Sequence, residues 1–323
     1  MLPSDAVKRR ATLLLIAPML VLVACKGSPS FDGTIFVADT DSKDVAIVDA
    51  SAMKLVARVP LPGKPHGVDI EPGNERLWTS NIEGDSVSVV DIAGRRVVST
   101  IKVCKGPVNV AFAVGRAFAA CGDGYMAVID TRTLTVLKTE AIGFAPHEII
   151  PGPSGMLWSV NRGSNDLSEI DPQKGALVSR HPAGPFVYDA VFSPDGRYVF
   201  VTSKTWSAVS VLSTDDFQIL GSIKVGKDPS LIAMAPDGKK IYVTNKMDGT
   251  VSVINARTFQ VIDTIRVQRE PGGIAVAPNG GLLFVANFAS DTLSVIDTAS
   301  DRVVRTIAVG DSPDDVVLLP AQR

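Results

Sequence analysis

The feature that most constrains this chain is a repeat. A string of the form V-x-V-I-D, or a close variant, ends at Asp49, Asp91, Asp130, Asp171, Ser213, Asn255 and Asp297, with spacings of 42, 39, 41, 42, 42 and 42 residues. Ten residues before each of these a second apolar string ends, at Asp39, Asn81, Ala120, Asn161, Ser203, Asn245 and Asn287. A turn proline opens the units at Pro65, Pro107, Pro146, Pro229, Pro271 and Pro313. Val187 takes that place in the unit after Pro146. Seven units of about 42 residues therefore run from about residue 31 to about residue 319. A fixed period of this size implies copies of one supersecondary unit that bury their faces against one another.

Four strands are legible in each unit. In the unit opened by Pro229, "SLIAMAP" is nearly all apolar, which predicts burial on both faces at the crowded centre of a ring. "KKIYVTN" and "GTVSVIN" alternate with period two, as half-buried strands do. "FQVIDTIRV" is the fourth and outermost. Pro236-Asp237-Gly238 is suited to a tight hairpin, because proline presets φ and glycine takes φ > 0. Seven four-stranded units predict an all-β, seven-bladed β-propeller, which protects its sheet edges by radial closure. The chain enters at "GTIFVADT", a second strand, and leaves at "DSPDDVVLLP", a first strand. The two partial units complement each other. They predict a closing blade built from both ends, a single domain over residues 31–323, and a complete chain. All-β domains reach this length of 323 residues.

The string "IYVTN" at 241–245, with "PDG" before it and "VSVI" after it, resembles the YVTN-family β-propeller repeat. "LFVAN", "LWTSN" and "LWSVN" are looser copies, and the resemblance covers residues 31–319. It implies the propeller fold and a secreted or surface location in bacteria or archaea, without naming a reaction. The unit around Cys104–Glu140 departs most, since its hairpin "FAVGRAF" lacks the PDG turn.

Ahead of the repeats, Lys8, Arg9 and Arg10 precede the apolar "ATLLLIAPMLVLVA", which is too short to span a bilayer and suits a signal peptide over residues 1–24. Leu22-Val23-Ala24-Cys25 resembles a bacterial lipobox. That resemblance implies cleavage before Cys25, lipidation of Cys25 and a membrane anchor that needs no spanning helix. An ordinary secretory signal with an incidental cysteine is the alternative. Lys26, with no Asp beside the cysteine, resembles the pattern sorted to the outer membrane, and residues 25–30 form a tether. Cleavage removes Lys8, Arg9, Arg10 and Asp5, leaving 29 basic against 33 acidic residues. A net negative chain argues against nucleic acid, even though Trp206 and Phe288 beside Lys204 and Lys246 could stack on bases. Once Cys25 is set aside, Cys104 and Cys121 remain. In an oxidising compartment an even pair predicts a disulfide, against the alternative of two free thiols.

The loops entering the first strand and those joining the second to the third share one face. After each turn position come His66, Val108, His147, Tyr188, Ser230, Gly272 and Asp314, then Gly67, Asn109, Glu148, Asp189, Leu231, Gly273 and Asp315. His66 and His147, two of the three histidines, thus occupy the same repeat position at one channel mouth. Glu148, Tyr188, Asp189, Asp314 and Asp315 gather there, and Arg162, Lys204 and Trp206 reach the same face. Imidazole and carboxylate could ligate a metal, and His66 and His147 are the candidates. Adjacent side chains on a strand point to opposite faces, however, which sets His147 and Glu148 apart. Structural histidines bonded to a backbone carbonyl of the next blade, with no metal and no cofactor, are the expectation. His181 is expected in an exposed outer loop.

No G-x-S-x-G, H-E-x-x-H or Walker-type loop is present in the sequence. The reading is a non-enzymatic binding or scaffold lipoprotein of the bacterial envelope. It is expected to be a monomer that engages an envelope protein or small ligand through the channel-mouth face. The alternatives are a metal- or cofactor-binding propeller, or a lactonase-like hydrolase using His147 with Glu148 or Asp189.

Overall fold

The computed structural model describes residues 30–321. The expected signal peptide, Cys25 and nearly all of the tether lie outside the described residues. Each repeat is a four-stranded antiparallel sheet, and seven sheets close into a ring. Blade 1 joins both ends, with Pro313–Pro320 innermost, followed by Gly33–Asp39, Asp44–Asp49 and Lys54–Pro60. The innermost strands of blades 2 to 7 are Pro65–Ile70, Pro107–Ala113, Pro146–Pro151, Val187–Phe192, Pro229–Met234 and Pro271–Val276. No helix among the described residues is long and apolar enough to cross a membrane.

Two burial expectations are corrected by the ring. The second and third strands are not half-buried: Ile241 to Asn245 and Val251 to Ile254 are buried throughout. Every blade is sandwiched between two others, so both faces of its middle strands are covered. Tyr242, Val251 and Val253 of blade 6, for example, pack against Leu283, Val285 and Ile296 of blade 7. The innermost strand is instead the partly accessible one, because one side of it lines the channel.

The polar letters of the repeat follow from this burial. Thr244 Oγ1 accepts the Leu231 N–H at 3.1 Å and donates to the Gly272 carbonyl of the next blade at 3.0 Å. Ser80 does the same between Gly67 and Val108, and Thr202 between Asp189 and Ser230. One residue on, Asn245 Nδ2 donates to Thr250 and Ser252 hydroxyls at 3.0 and 2.9 Å. Asn81 and Asn287 make matching bonds. Each bond contributes about 1 kcal/mol net, and leaving its buried partner unsatisfied costs more. The threonine ties blade to blade, and the asparagine ties the turn to the third strand.

Each outermost strand carries a bulge against the third. The residues left unpaired are Val56, Val98, Leu137, Val178, Leu220, Ile262 and Val304. All seven are exposed. Bulges twist an edge away from further pairing, so this apolar belt is an edge-protection device repeated in every blade.

Blade 3 solves the clamp differently. Pro107 pairs with Cys121 as Pro65 pairs with Asn81, so Cys121, rather than Ala120, holds the asparagine position. The facing strand carries Met126, Ala127 and Val128, which offer no hydroxyl. Cys121 instead bonds to Cys104, in the connection arriving from blade 2, with an S–S distance of 2.01 Å and a sequence separation of 17. Closing a loop of this length contributes about 3 kcal/mol in the chain-entropy model. The double substitution Cys104→Ser, Cys121→Ser is expected to lower urea-unfolding stability by about that amount. Non-reducing peptide mapping should recover the linked pair, and two alkylatable thiols in the native protein would refute the bond.

His181 is not in an exposed loop. It lies within the strand Ala176–Pro182, half-buried, with its ring stacked 3.9 Å from that of Phe217.

Candidate functional site

In every blade the innermost strand leaves register after its first residue, so His66, Val108, His147, Tyr188, Ser230, Gly272 and Asp314 all sit in a bulge. A bulge re-aims side chains. The opposite-face expectation for His147 and Glu148 therefore fails: His147 Nδ1 lies 3.3 Å from Glu148 Oε1. That approach lacks hydrogen-bond geometry, and among the described residues neither ring nitrogen of His147 has a well-aligned hydrogen bond although the residue is 2% exposed; the Tyr188 backbone is close enough only to oppose the effect of burial. His66 behaves as expected of a structural histidine on one side only. Its Nδ1 lies 3.0 Å from the Val108 carbonyl of blade 3, while its Nε2 stands 3.4 Å from Asp314 Oδ2.

The two imidazoles meet edge to face with ring centres 5.4 Å apart. His147 also lies against Tyr188 at 3.9 Å, and Lys204 Nζ caps the Tyr188 ring at 3.5 Å. A continuous column of side chains thus runs from the rim to the histidine pair. Burial holds the His147 ring well below its ordinary range, with His66, Arg162 and Lys204 adding to the effect, so it is neutral. Burial raises the Glu148 carboxyl well above the usual range, with Asp189, Asp315 and Asp314 adding to the effect.

Two of the channel carboxylates have a structural task. Asp189 accepts from its neighbour Ala190 N–H and, across the blade boundary, from Ile232 N–H at 2.9 Å. Asp315 likewise accepts from Val316 N–H and from Val68 N–H of blade 2 at 2.9 Å. Asn109 makes the cross-blade bond to Ile149 N–H. Burial pushes Asp189 up to about 7 and Asp315 up to about 6, in each case against these N–H donors. Asp69, which the repeat reading missed, is pushed up to about 7, chiefly by burial. Its period-two relation to Gly67 on the same strand was the available signal.

The channel is pinched where Glu148, Leu231 and Asp315 line both the mouth space and a larger space of about 380 Å³ below it. The mouth space itself amounts to about 10 Å³. On the rim, Arg162, Lys204 and Lys246 follow one another in blades 4, 5 and 6. Burial and the other two cations lower the Lys204 ammonium, opposed by Asp228 3.6 Å away. Around them Phe144, Phe186, Trp206 and Met247 are exposed at 66%, 53%, 53% and 75%. Of these four, sequence reading singled out only Trp206. Beside this crescent lies a cavity of about 870 Å³, lined by Lys246, Met247, Arg266, Arg269 and Glu270 among others.

A closed ring of seven four-stranded blades around a channel defines a seven-bladed β-propeller, and this chain is a β-propeller repeat protein. A family model described as YNCE-like β-propeller matches residues 231–322. A curated relative, a seven-bladed β-propeller protein of Mycobacterium tuberculosis, is 28% identical over 137 residues, covering 38% of this chain and 34% of its own. The chain thus matches about a third of that relative's length. Among solved structures, a functionally unknown protein from Desulfotomaculum acetoxidans superposes with a TM-score of 0.78 at 16% identity, covering 90% of this chain and 100% of its own. A putative 6-phosphogluconolactonase from Bacteroides fragilis gives 0.74 at 15% identity, over 89% and 98%. At such identities the likeness shows the fold alone.

Proposed function

We propose that this chain is a non-enzymatic binding propeller of the bacterial envelope, held by a lipid on Cys25, whose channel-mouth face engages an acidic segment of a partner protein. The observation that carries this reading is the crescent across blades 4 to 6. Four large apolar side chains stand exposed there around Arg162, Lys204 and Lys246, beside the 870 Å³ cleft. Contiguous exposed apolar surface with interspersed cations marks an interaction site, and Trp and Arg are over-represented among residues that dominate interfaces. The outer belt of exposed aliphatics is accounted for by edge protection, whereas in blades 1 to 3 the corresponding loops expose a single large apolar side chain, Tyr125. A lactonase-like reading needs room for an ester beside the histidines, and the mouth space of about 10 Å³ admits about one water.

A photo-cross-linking residue at Trp206 of the full chain, expressed in its own envelope, is expected to trap one protein species. The same residue at Val98 on the outer belt should trap none. Arg162→Ala with Trp206→Ala should weaken capture about 30-fold, the equivalent of about 2 kcal/mol. Cys25→Ser should release the chain from the membrane and lose the adduct. Equal trapping from Val98, or capture indifferent to the double substitution, refutes the crescent as the binding face.

A further inference from the structure

We propose that the channel mouth binds one divalent transition-metal ion through His66, His147, Glu148 and Asp314. The orientation of His66 is the first ground. Metal-bound histidines almost always donate their second ring N–H to a carbonyl, carboxylate or water, which fixes the tautomer. His66 Nδ1 does this toward the Val108 carbonyl at 3.0 Å, which turns Nε2 toward Asp314 Oδ2, 3.4 Å away. An approach of this kind needs a cation between the two atoms, either a proton or a metal ion.

His147 is the second and independent ground. It is 2% exposed, lines the same space, and among the described residues neither ring nitrogen has a well-aligned hydrogen bond. Burying an unsatisfied polar group costs about 1–3 kcal/mol. An ion at the mouth would satisfy one of these nitrogens and neutralise the adjoining carboxylate.

Each pair by itself has the spacing of two ligands on one ion. Two ligand atoms about 2.0–2.1 Å from a metal at the tetrahedral angle stand about 3.3–3.4 Å apart. His66 and Asp314 are separated by 3.4 Å, and His147 and Glu148 by 3.3 Å. The space between them is close to that of a single water-sized ligand. The donors stand as two pairs, not as one closed set, and no three of them lie within 4.8 Å of one another. A shared ion therefore requires the two pairs to close on it, from ring centres 5.4 Å apart. Imidazole with carboxylate selects Zn, Cu, Fe or Ni over Mg and Ca.

The test is independent of any partner. The full chain, stripped with a chelator, is titrated with Co²⁺ and Zn²⁺ by calorimetry, and the visible absorption of Co²⁺ reports its geometry. One equivalent per chain with a tetrahedral Co²⁺ spectrum is expected. His66→Gln and His147→Phe should each weaken binding by more than the ~10–100-fold cost of losing an outer-shell partner. Phenylalanine retains the packing on Tyr188, and Asp314→Asn, at a partly exposed position, gives a third variant should either histidine change impair folding. No binding by the wild type overturns the proposal, and so does undiminished affinity in the variants that melt cooperatively.

Discussion

A chain ending at Ser312 is expected to lose cooperative folding altogether. The missing segment supplies the innermost strand of blade 1, paired with Gly33–Asp39 from Thr34↔Leu319 to Ala38↔Asp315. It carries Val316, buried in one cluster with Ile35, Val37, Phe284 and Leu293, together with half-buried Leu318. Val317 and Leu319 pack into the next cluster with Phe36 and Val68. Four such side chains contribute roughly 5 kcal/mol by burial, which is comparable to the whole net stability of many domains. The deletion also removes the Asp315 bond to Val68 and opens a sheet edge, a template for aggregation. Size-exclusion chromatography and urea unfolding of the truncated chain check this. A melt indistinguishable from that of the full chain would show that the ring does not depend on its closing strand.

The second large effect is a fall in stability as pH rises from about 4 to about 8. In four of the blades the clamp position is asparagine, but in blade 1 it is Asp39, facing Asp44. Both are buried, each has one unpartnered carboxylate oxygen, and Arg58 stands 3.9 and 3.3 Å from them. Burial and the neighbouring Asp44 push Asp39 up to about 8. Asp69 and Asp189 are raised to about 7 and Asp315 to about 6, from an ordinary 3.8. In that window the folded chain binds more protons than the unfolded one, so raising the pH disfavours folding. The loss flattens above about pH 8, where Asp39 has ionised.

His147 acts in the opposite sense. Held neutral when folded and free to protonate near 6.5 when unfolded, it costs stability as the pH falls below that value. A maximum near pH 4 is expected, with a loss of several kcal/mol by pH 8.5, less than full burial implies because channel solvent reaches Asp69 and Asp315. Asp39→Asn restores the repeat's own clamp and should remove most of the slope above pH 7. Asp189→Asn should act on the slope below it. Urea midpoints at pH 5, 7 and 8.5 for the three chains decide the matter, and a flat wild-type profile would refute it.

The blade count, the closing blade and the turns were legible in the chain because each is written locally. A 42-residue period, a Pro-Asp-Gly turn and a first strand stranded at the C-terminus need no knowledge of neighbours. Gly238, for example, has φ +69 and donates its N–H to Ala235 at 2.8 Å, as the tight hairpin requires. The repeat alignment also brought His66 and His147 to one mouth, because equivalent positions in a closed ring face a common axis.

Lateral contacts decided the rest. Alternation in "KKIYVTN" reads as one wet face, yet the ring covers both, so Thr244 and Asn245 become buried bonds instead of surface residues. Strand periodicity sets His147 and Glu148 apart. The bulge that brings them together arises where the innermost strand meets its partner, and no local composition announces it. The polar links between blades likewise depend on which groups the adjacent blade presents. In blade 2 Ser80 serves the neighbouring carbonyl, but in blade 4 the corresponding residue is Val160, which has no hydroxyl to give. One sequence letter mattered there, but only the packed ring shows what it leaves unbonded.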